Sequence, residues 1–277
     1  MSARARRPGP TVRTRVHEFA DTGERRREDR LATEEPLEIR LAWPGADARR
    51  AWVTMRTPGH DFELAAGWLV HEGLTTSDGI ATVAYCTDVT LAPEQEFNVV
   101  TVTLARPPLR EVGHRHDASS SGSSACGVCG KDSIGDVLEQ PSSAARWSGP
   151  LPSPETVRTL PDRLREHQSL FARTGGVHAA ALVDAEGEVL VVREDVGRHN
   201  ALDKVTGARV LAGESPTQAC LVVSGRAGFE LVQKAVAAGA GALVAVGAPT
   251  SLAVQLAADA GLALYGFTGA RRTVRYC

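Results

Sequence analysis

From Val177 to the C-terminus, short apolar runs alternate with longer helical stretches, and this alternation restricts the fold more than any other feature of the chain. Residues 177–183 and 188–193 have strand character around a Glu186-Gly187 turn. Residues 219–223, 243–246 and 262–266 are shorter apolar strands. Helical patterns fill 155–172, where Pro161 breaks or restarts the helix, and 195–211, 226–238 and 249–260. Strands separated by helices form layered α/β structure with parallel strand pairs.

Upstream, residues 37–43 and 51–55 alternate like strands. Thr57-Pro58-Gly59-His60-Asp61 then leads into a helix over 62–72 that Gly73 ends. Leu64, Ala65, Trp68 and Leu69 share one helical face and belong to a core, and 80–85 and 97–104 add two strands. Between the halves, Gly113 to Ala125 is dominated by Ser and Gly, which predicts a mobile connector. The expected fold is therefore α/β in two parts. A basic, disordered arm occupies 1–30, a small α+β domain 31–112, a flexible loop 113–150 and an α/β domain 151–277.

Composition narrows the function classes. Hydrophobic residues are 43% of the 277-residue chain and charged residues 23%, ordinary for a globular protein. Residues 1–30 hold nine Arg against five acidic residues, so the body is net negative and unsuited to general nucleic-acid binding. No apolar run reaches membrane-spanning length, and no apolar stretch follows Arg6-Arg7 as an export signal requires, so a cytoplasmic location is expected. Among five cysteines only Cys126 and Cys129 are close in sequence, which does not make a disulfide framework.

A Cys-x-x-Cys pair binds metal, exchanges disulfides or carries sulfur. Zinc takes four ligands, and only His114 and His116 are near enough in sequence to complete a set. A thioredoxin-like pair follows a strand and opens a helix, whereas a Ser/Gly stretch precedes this one. Gly127 and Gly130 leave the thiols open, and Lys131 can stabilise a thiolate. Three further segments follow strands: Ser224-Gly225-Arg226, Gly247-Ala-Pro-Thr-Ser251, and Phe267-Thr268-Gly269-Ala270-Arg271-Arg272. Free backbone N–H groups at such junctions attract phosphate, adjacent arginines clamp it, and Phe267 can stack on a base, so a nucleotide-like ligand is expected. Residues 193–204 are densely polar. Glu194/Arg198, Asp195/His199 and Asn200/Lys204 are spaced to pair along a helix, as a solvated face or as a polarised histidine between Asp195 and Asp203. His178 stands where zinc deaminases carry a ligand, but Ala180 replaces their catalytic glutamate, so His178 is expected in the core.

Cys126-Gly-Val-Cys-Gly130, Arg56-Thr-Pro-Gly59, Gly176-Val-His-Ala179, Glu194-Asp-Val-Gly-Arg-His-Asn200 and Ser224-Gly-Arg-Ala227 together resemble the FdhD/NarQ family of formate dehydrogenase accessory sulfurtransferases, from about residue 37 to the C-terminus. The resemblance implies a C-terminal domain like the cytidine-deaminase fold, and a homodimer. It implies a sulfur carrier that takes sulfane sulfur from a cysteine desulfurase and passes it to the molybdenum (or tungsten) bis-molybdopterin guanine dinucleotide, which formate dehydrogenase requires. Cys126 would carry the persulfide with Cys129 assisting, residues 267–272 would bind the cofactor, and no metal site of the protein's own is implied. A pure cofactor chaperone and a zinc-binding interaction module are the alternatives.

Overall fold

The computed structural model of the chain describes residues 9–87, 91–92, 95–111 and 146–277. Three sheets and six α-helices make up these residues. The N-terminal four-stranded sheet has the order β4-β3-β6-β5, from β3 (Glu35–Trp43), β4 (Ala46–Arg56), β5 (Ile80–Tyr85) and β6 (Val99–Leu104). Leu37, Ile39 and Leu41 on alternate positions of β3 are fully buried, as the two-residue period requires. They meet Leu64, Ala65, Trp68 and Leu69 of α1 (Asp61–His71), the helical face identified from the sequence.

The C-terminal sheet has six strands in the order β12-β11-β10-β9-β7-β8. Strands β9 (Cys220–Val223), β10 (Ala242–Ala245) and β11 (Ala263–Gly269) are parallel. Strand β7 (His178–Val183) runs antiparallel to both β8 (Val189–Asp195) and β9. A closing strand not foreseen in the sequence, β12 (Arg272–Arg275), pairs antiparallel with β11. The sheet is covered on both faces, so its central strands are continuous apolar runs. Ala179, Ala181 and Val183 face α2 (Pro154–Glu166), while Ala180 and Leu182 face α4 (Arg198–Leu211) and α5 (Phe229–Ala237), with α6 (Ser251–Ala260) in the same core. Helix α2 runs through Pro161 and stops at His167. A separate short helix, α3 (Ser169–Thr174), follows. Among the described residues no helix is long and apolar enough to cross a membrane.

Two expectations are corrected. Most of the arm expected to be disordered is a hairpin, β1 (Thr11–Ala20) and β2 (Gly23–Ala32). Its charges, which suggested a solvated tail, form ion pairs on the diagonal between the two strands. Arg13 meets Glu28 (3.1 Å), Arg27 meets Glu18 (3.1 Å) and His17 meets Glu24 (2.6 Å). The expected loop boundary at residue 150 also moves. Trp147 donates its backbone N–H to Gly239 O (2.9 Å) and its ring N–H to Pro150 O (3.0 Å), and it packs against the C-terminal core.

Candidate functional site

The parallel strands β9, β10 and β11 deliver three loops side by side, the three singled out for phosphate binding. Backbone hydrogen bonds lace them together. Gly247 N donates to Gly225 O (2.9 Å), Ala227 N to Ala248 O (3.2 Å), Thr250 N to Ala227 O (3.1 Å) and Phe267 N to Gly247 O (3.0 Å). Close approach excludes side chains here, since a Cβ on Gly247 would lie 2.9 Å from Arg226 Cγ and 3.1 Å from Gly225 O. Helices α5 and α6 begin just beyond, at Gly228 and Thr250, and neither first turn is capped by its N-cap side chain. Their amide N–H groups therefore point toward the loops with the positive ends of two helix dipoles.

The third loop differs from its sequence-based description. Phe267, Thr268 and Gly269 belong to β11, Ala270 and Arg271 form the turn, and Arg272 opens β12. Pairing slips between Gly266 and Gly269, and Phe267 sits in that bulge at φ 50°. A non-glycine residue held in the left-handed region is strained, and a bulge re-aims its side chain. Phe267 turns to solvent under the Arg272 guanidinium, which lies 5.1 Å from its ring centroid. Arg226 and Arg271 are also exposed beside this edge.

The loops open into a cavity of about 530 Å³, bounded by α2, α3 and the 175–178 segment on one side and by Ser224, Val246, Thr268 and Gly269 on the other. Of the nine residues proposed from the sequence to bind cofactor, Ser224, Thr268 and Gly269 line it. His178, expected in the core, is a half-buried wall residue with its ring beside Gly225. Burial and the nearby Arg198 charge push its pKa below the ordinary histidine range against the pull of Asp195, which favours the neutral ring. Ser224 Oγ accepts the Ala179 N–H (2.9 Å) and fixes the loop to the first residues of β7. The sequence reading passed over Asp162, Gln168 and Phe171, which also line the cavity. Asp162 lies in α2, and Gln168 and Phe171 lie where α2 gives way to α3, a break that periodicity merged into one helix.

Cys126 and Cys129, with His114, His116 and Lys131, lie outside the described residues. Among the described cysteines, Cys86, Cys220 and Cys277 are free, and burial pushes the Cys220 thiol up, which makes it unreactive. No cluster of metal-ligating side chains occurs among the described residues.

Two polar motifs prove to be joints between the halves of the molecule. Arg56 is buried against Asp61 (3.0 and 3.2 Å), whose carboxylate also accepts from Tyr85 (2.8 Å). Asp195 does not pair with His199. It accepts the Thr57 N–H (3.1 Å) and lies 2.6 Å from Lys204, which also donates to Thr57 O (2.9 Å). Asp203 is held by His71 (2.5 Å) and Lys234 (2.8 Å). Glu194 accepts the Leu170 and Phe171 N–H groups (2.8 Å each) and so anchors α3 beside the cavity. His199 faces Glu230 (3.4 Å), and burial, with the Lys234 charge, pushes its pKa down to about 3. The expected solvated face is thus a buried network, and the spacing failed because α4 starts only at Arg198.

The sequence model of the FdhD/NarQ family matches residues 32–277. A Streptomyces avermitilis protein named sulfur carrier protein FdhD is 46% identical over 265 residues, covering 93% of this chain and 90% of that one. Proteins of the same name from Corynebacterium efficiens (43% identical; 96% and 94% covered) and Mycobacterium tuberculosis (44%; 87% and 87%) are similar. In fold, the chain resembles the crystal structure of a Desulfotalea psychrophila protein described as a formate dehydrogenase accessory protein, with a TM-score of 0.73 at 22% identity over 96% of this chain and 97% of that one. The chain belongs to the FdhD/NarQ family, a class of sulfur carriers linked to formate dehydrogenase.

Proposed function

We propose that the chain is a cytoplasmic sulfurtransferase that carries sulfane sulfur from a cysteine desulfurase to the molybdenum bis-molybdopterin guanine dinucleotide destined for formate dehydrogenase. The Cys126 thiolate attacks the terminal sulfur of the donor persulfide. The donor leaves as a thiolate, and Cys126 is left as a persulfide. Cys129 assists or resolves it. The cofactor is the acceptor and is held as a substrate by the strand-end loops, with its phosphates beside Arg226, Arg271, Arg272 and the first turns of α5 and α6. The observation that carries this reading is the packing of the three strand-end loops side by side, two of them lining one cavity, in a chain whose remaining sequence motif is a Cys-x-x-Cys. A volume of about 530 Å³ suits a nucleotide-sized ligand.

The test is incubation with a cysteine desulfurase and cysteine, followed by intact-mass and peptide-mass measurement. The expected outcome is a reductant-sensitive gain of one sulfur on the Cys126 peptide, lost in Cys126→Ala, together with loss of formate dehydrogenase activation. Full activation by Cys126→Ala would leave a cofactor chaperone instead.

A further inference from the structure

The β1–β2 hairpin sorts its charges by face. Residues directly opposite each other in an antiparallel pair share a face, so the register puts Arg13, Arg15 and His17 of β1 on one side with Arg30, Glu28 and Arg26 of β2. On the other side Glu18 pairs with Arg25 and Arg27, and Arg27 also with Asp29, so the charges there are neutralised within the hairpin. The first side is not neutralised. Arg13 uses Glu28 and His17 uses Glu24, while Arg15, Arg26 and Arg30 form no ion pair among the described residues. Arg13 also stands directly across from Arg30. Like charges so placed oppose strand pairing, and a two-stranded ribbon has little stability to spare. A cationic face kept at that cost fits an anionic partner from outside the chain.

The same face indicates what kind of partner. Phe19 lies on it beside the turn and is 77% exposed. An exposed aromatic among arginines is the composition of a protein-binding surface, where the ring fills a recess and the guanidinium groups meet carboxylates. Glu24 and Glu28 interleave with the arginines, and the rest of the molecule is net negative. A uniform polyanion, such as nucleic acid or an anionic membrane, is repelled by both. A protein surface can place carboxylates opposite the arginines and leave the glutamates clear. The base of the hairpin fixes where such a partner sits. Thr33 N donates to Pro10 O (3.0 Å), and β2 packs against α3. A Cβ on Gly176, which lines the cavity, would lie 3.7 Å from the Ala32 methyl. The hairpin thus rises beside the cavity. The family match begins at residue 32, the last residue of β2, so this surface lies ahead of the shared region.

Resting on the proposed function, we infer that this face of the hairpin docks an acidic patch on the protein that receives the cavity's ligand, formate dehydrogenase in its cofactor-free form. Arg15, Arg26 and Arg30 pair with carboxylates of that patch, and Phe19 packs into an apolar recess beside them. Docking relieves the opposition of Arg13 and Arg30 and sets the recipient at the edge of the cavity.

The test is equilibrium binding of the full chain to cofactor-free formate dehydrogenase at low and high salt. A cysteine desulfurase, duplex DNA and phosphatidylglycerol vesicles are the comparison probes, and melting temperature is the folding control. Arg15→Thr/Arg26→Thr should weaken dehydrogenase binding roughly ten-fold at low salt and flatten its salt dependence, because salt screens exposed charges. Its melting temperature should not fall, since repulsion leaves with the charges. Arg25→Thr/Arg27→Thr makes the same change in net charge on the neutralised side and should alter binding by less than about three-fold. Phe19→Ser should weaken binding at both salt concentrations and leave the salt dependence as it was. All three variants should still take sulfur on Cys126 from the desulfurase. If Arg15→Thr/Arg26→Thr lowers the melting temperature, the single variants Arg15→Gln and Arg26→Gln carry the test, each weakening binding roughly three-fold. Equal losses in the two double variants would mean that only net charge is sensed, and would overturn the assignment. So would unchanged binding in Arg15→Thr/Arg26→Thr, DNA or vesicles bound as tightly as the dehydrogenase, a loss confined to the desulfurase, or a wild-type chain that does not bind the dehydrogenase. None of these results touches the sulfur-carrier reading, which fails instead if wild-type Cys126 gains no sulfur.

Discussion

At the scale of single residues, the determining fact is where unpaired charge would be intolerable. Lys204 and Asp195 are fully buried, and each is compensated by the other and by Thr57. Burial raises the Asp195 pKa, and Lys204 with its hydrogen bonds opposes that rise. Removing one member of such a pair leaves an uncompensated buried charge, which costs about 3–5 kcal/mol. Lys204→Met should therefore destabilise the protein by that amount in urea titrations, and adding Asp195→Asn should recover part of the loss. A Lys204→Met variant within about 1 kcal/mol of wild type would mean that Asp195 is neutral in the native protein. The sequence made these residues conspicuous but not their partners, because the residues that complete the pairing, Thr57 and His71, lie more than 130 positions away in the chain. Spacing along one helix has no access to such contacts.

Among the elements, the pairing of α1 with α4 joins the two halves, and glycine makes it possible. A Cβ on Gly67 would lie 1.9 Å from Asp203 O, and one on Gly207 would lie 1.8 Å from Glu63 O, so the backbones themselves are in contact. A methyl group there must push the helices apart, and overpacking of this kind costs about 1–3 kcal/mol. Gly67→Ala and Gly207→Ala should each lower the melting temperature although alanine favours helix. A rise in melting temperature for either would show that the helices separate freely. The buried face of α1 was legible in the sequence from Leu64, Ala65, Trp68 and Leu69, because it follows a local period. Its partner was not legible, because glycine signals a turn as readily as a close helix crossing. The β1–β2 hairpin was hidden for a related reason. Its residues have few apolar members, and its pattern is one of charge across two strands, which appears only once the register is known.

For the whole molecule, the three candidate phosphate loops and their place at strand ends were legible, because apolar runs followed by glycine mark such junctions. The opposing wall of Gln168, Asp162 and Phe171 was not, since it is made by packing α2 and α3 across the strand ends. The same three-dimensional assembly determines how the protein responds to acid. His71 is buried between the two halves and His199 is mostly buried against Glu230 of the C-terminal half, and burial chiefly pushes both pKa values below the ordinary 6.5, to about 3 for His199. In the unfolded chain each takes up a proton near pH 6.5 while the native protein does not. The unfolded state thus binds more protons below that pH, and stability falls as pH falls, by about 1.4 kcal/mol per pH unit for His199 between about 6.5 and 3, with His71 adding to the loss in the same direction. Glu63 adds to the loss at lower pH. Burial raises its pKa, but hydrogen bonds from Arg193 and His60 outweigh this and hold it at about 2, so its contribution is present above about 4.5 and disappears toward 2. Asp195, raised by burial, works in the opposite direction above 3.8 and offsets part of the slope. Urea titrations at pH 7.5, 6.0 and 5.0 should show stability declining steadily below pH 6.5. In His199→Asn the decline should be shallower by about 1.4 kcal/mol per pH unit, because one protonation site that only the unfolded chain can use has been removed. An unchanged slope in that variant would mean that His199 accepts its proton in the folded protein, and that its pocket beside Glu230 admits water.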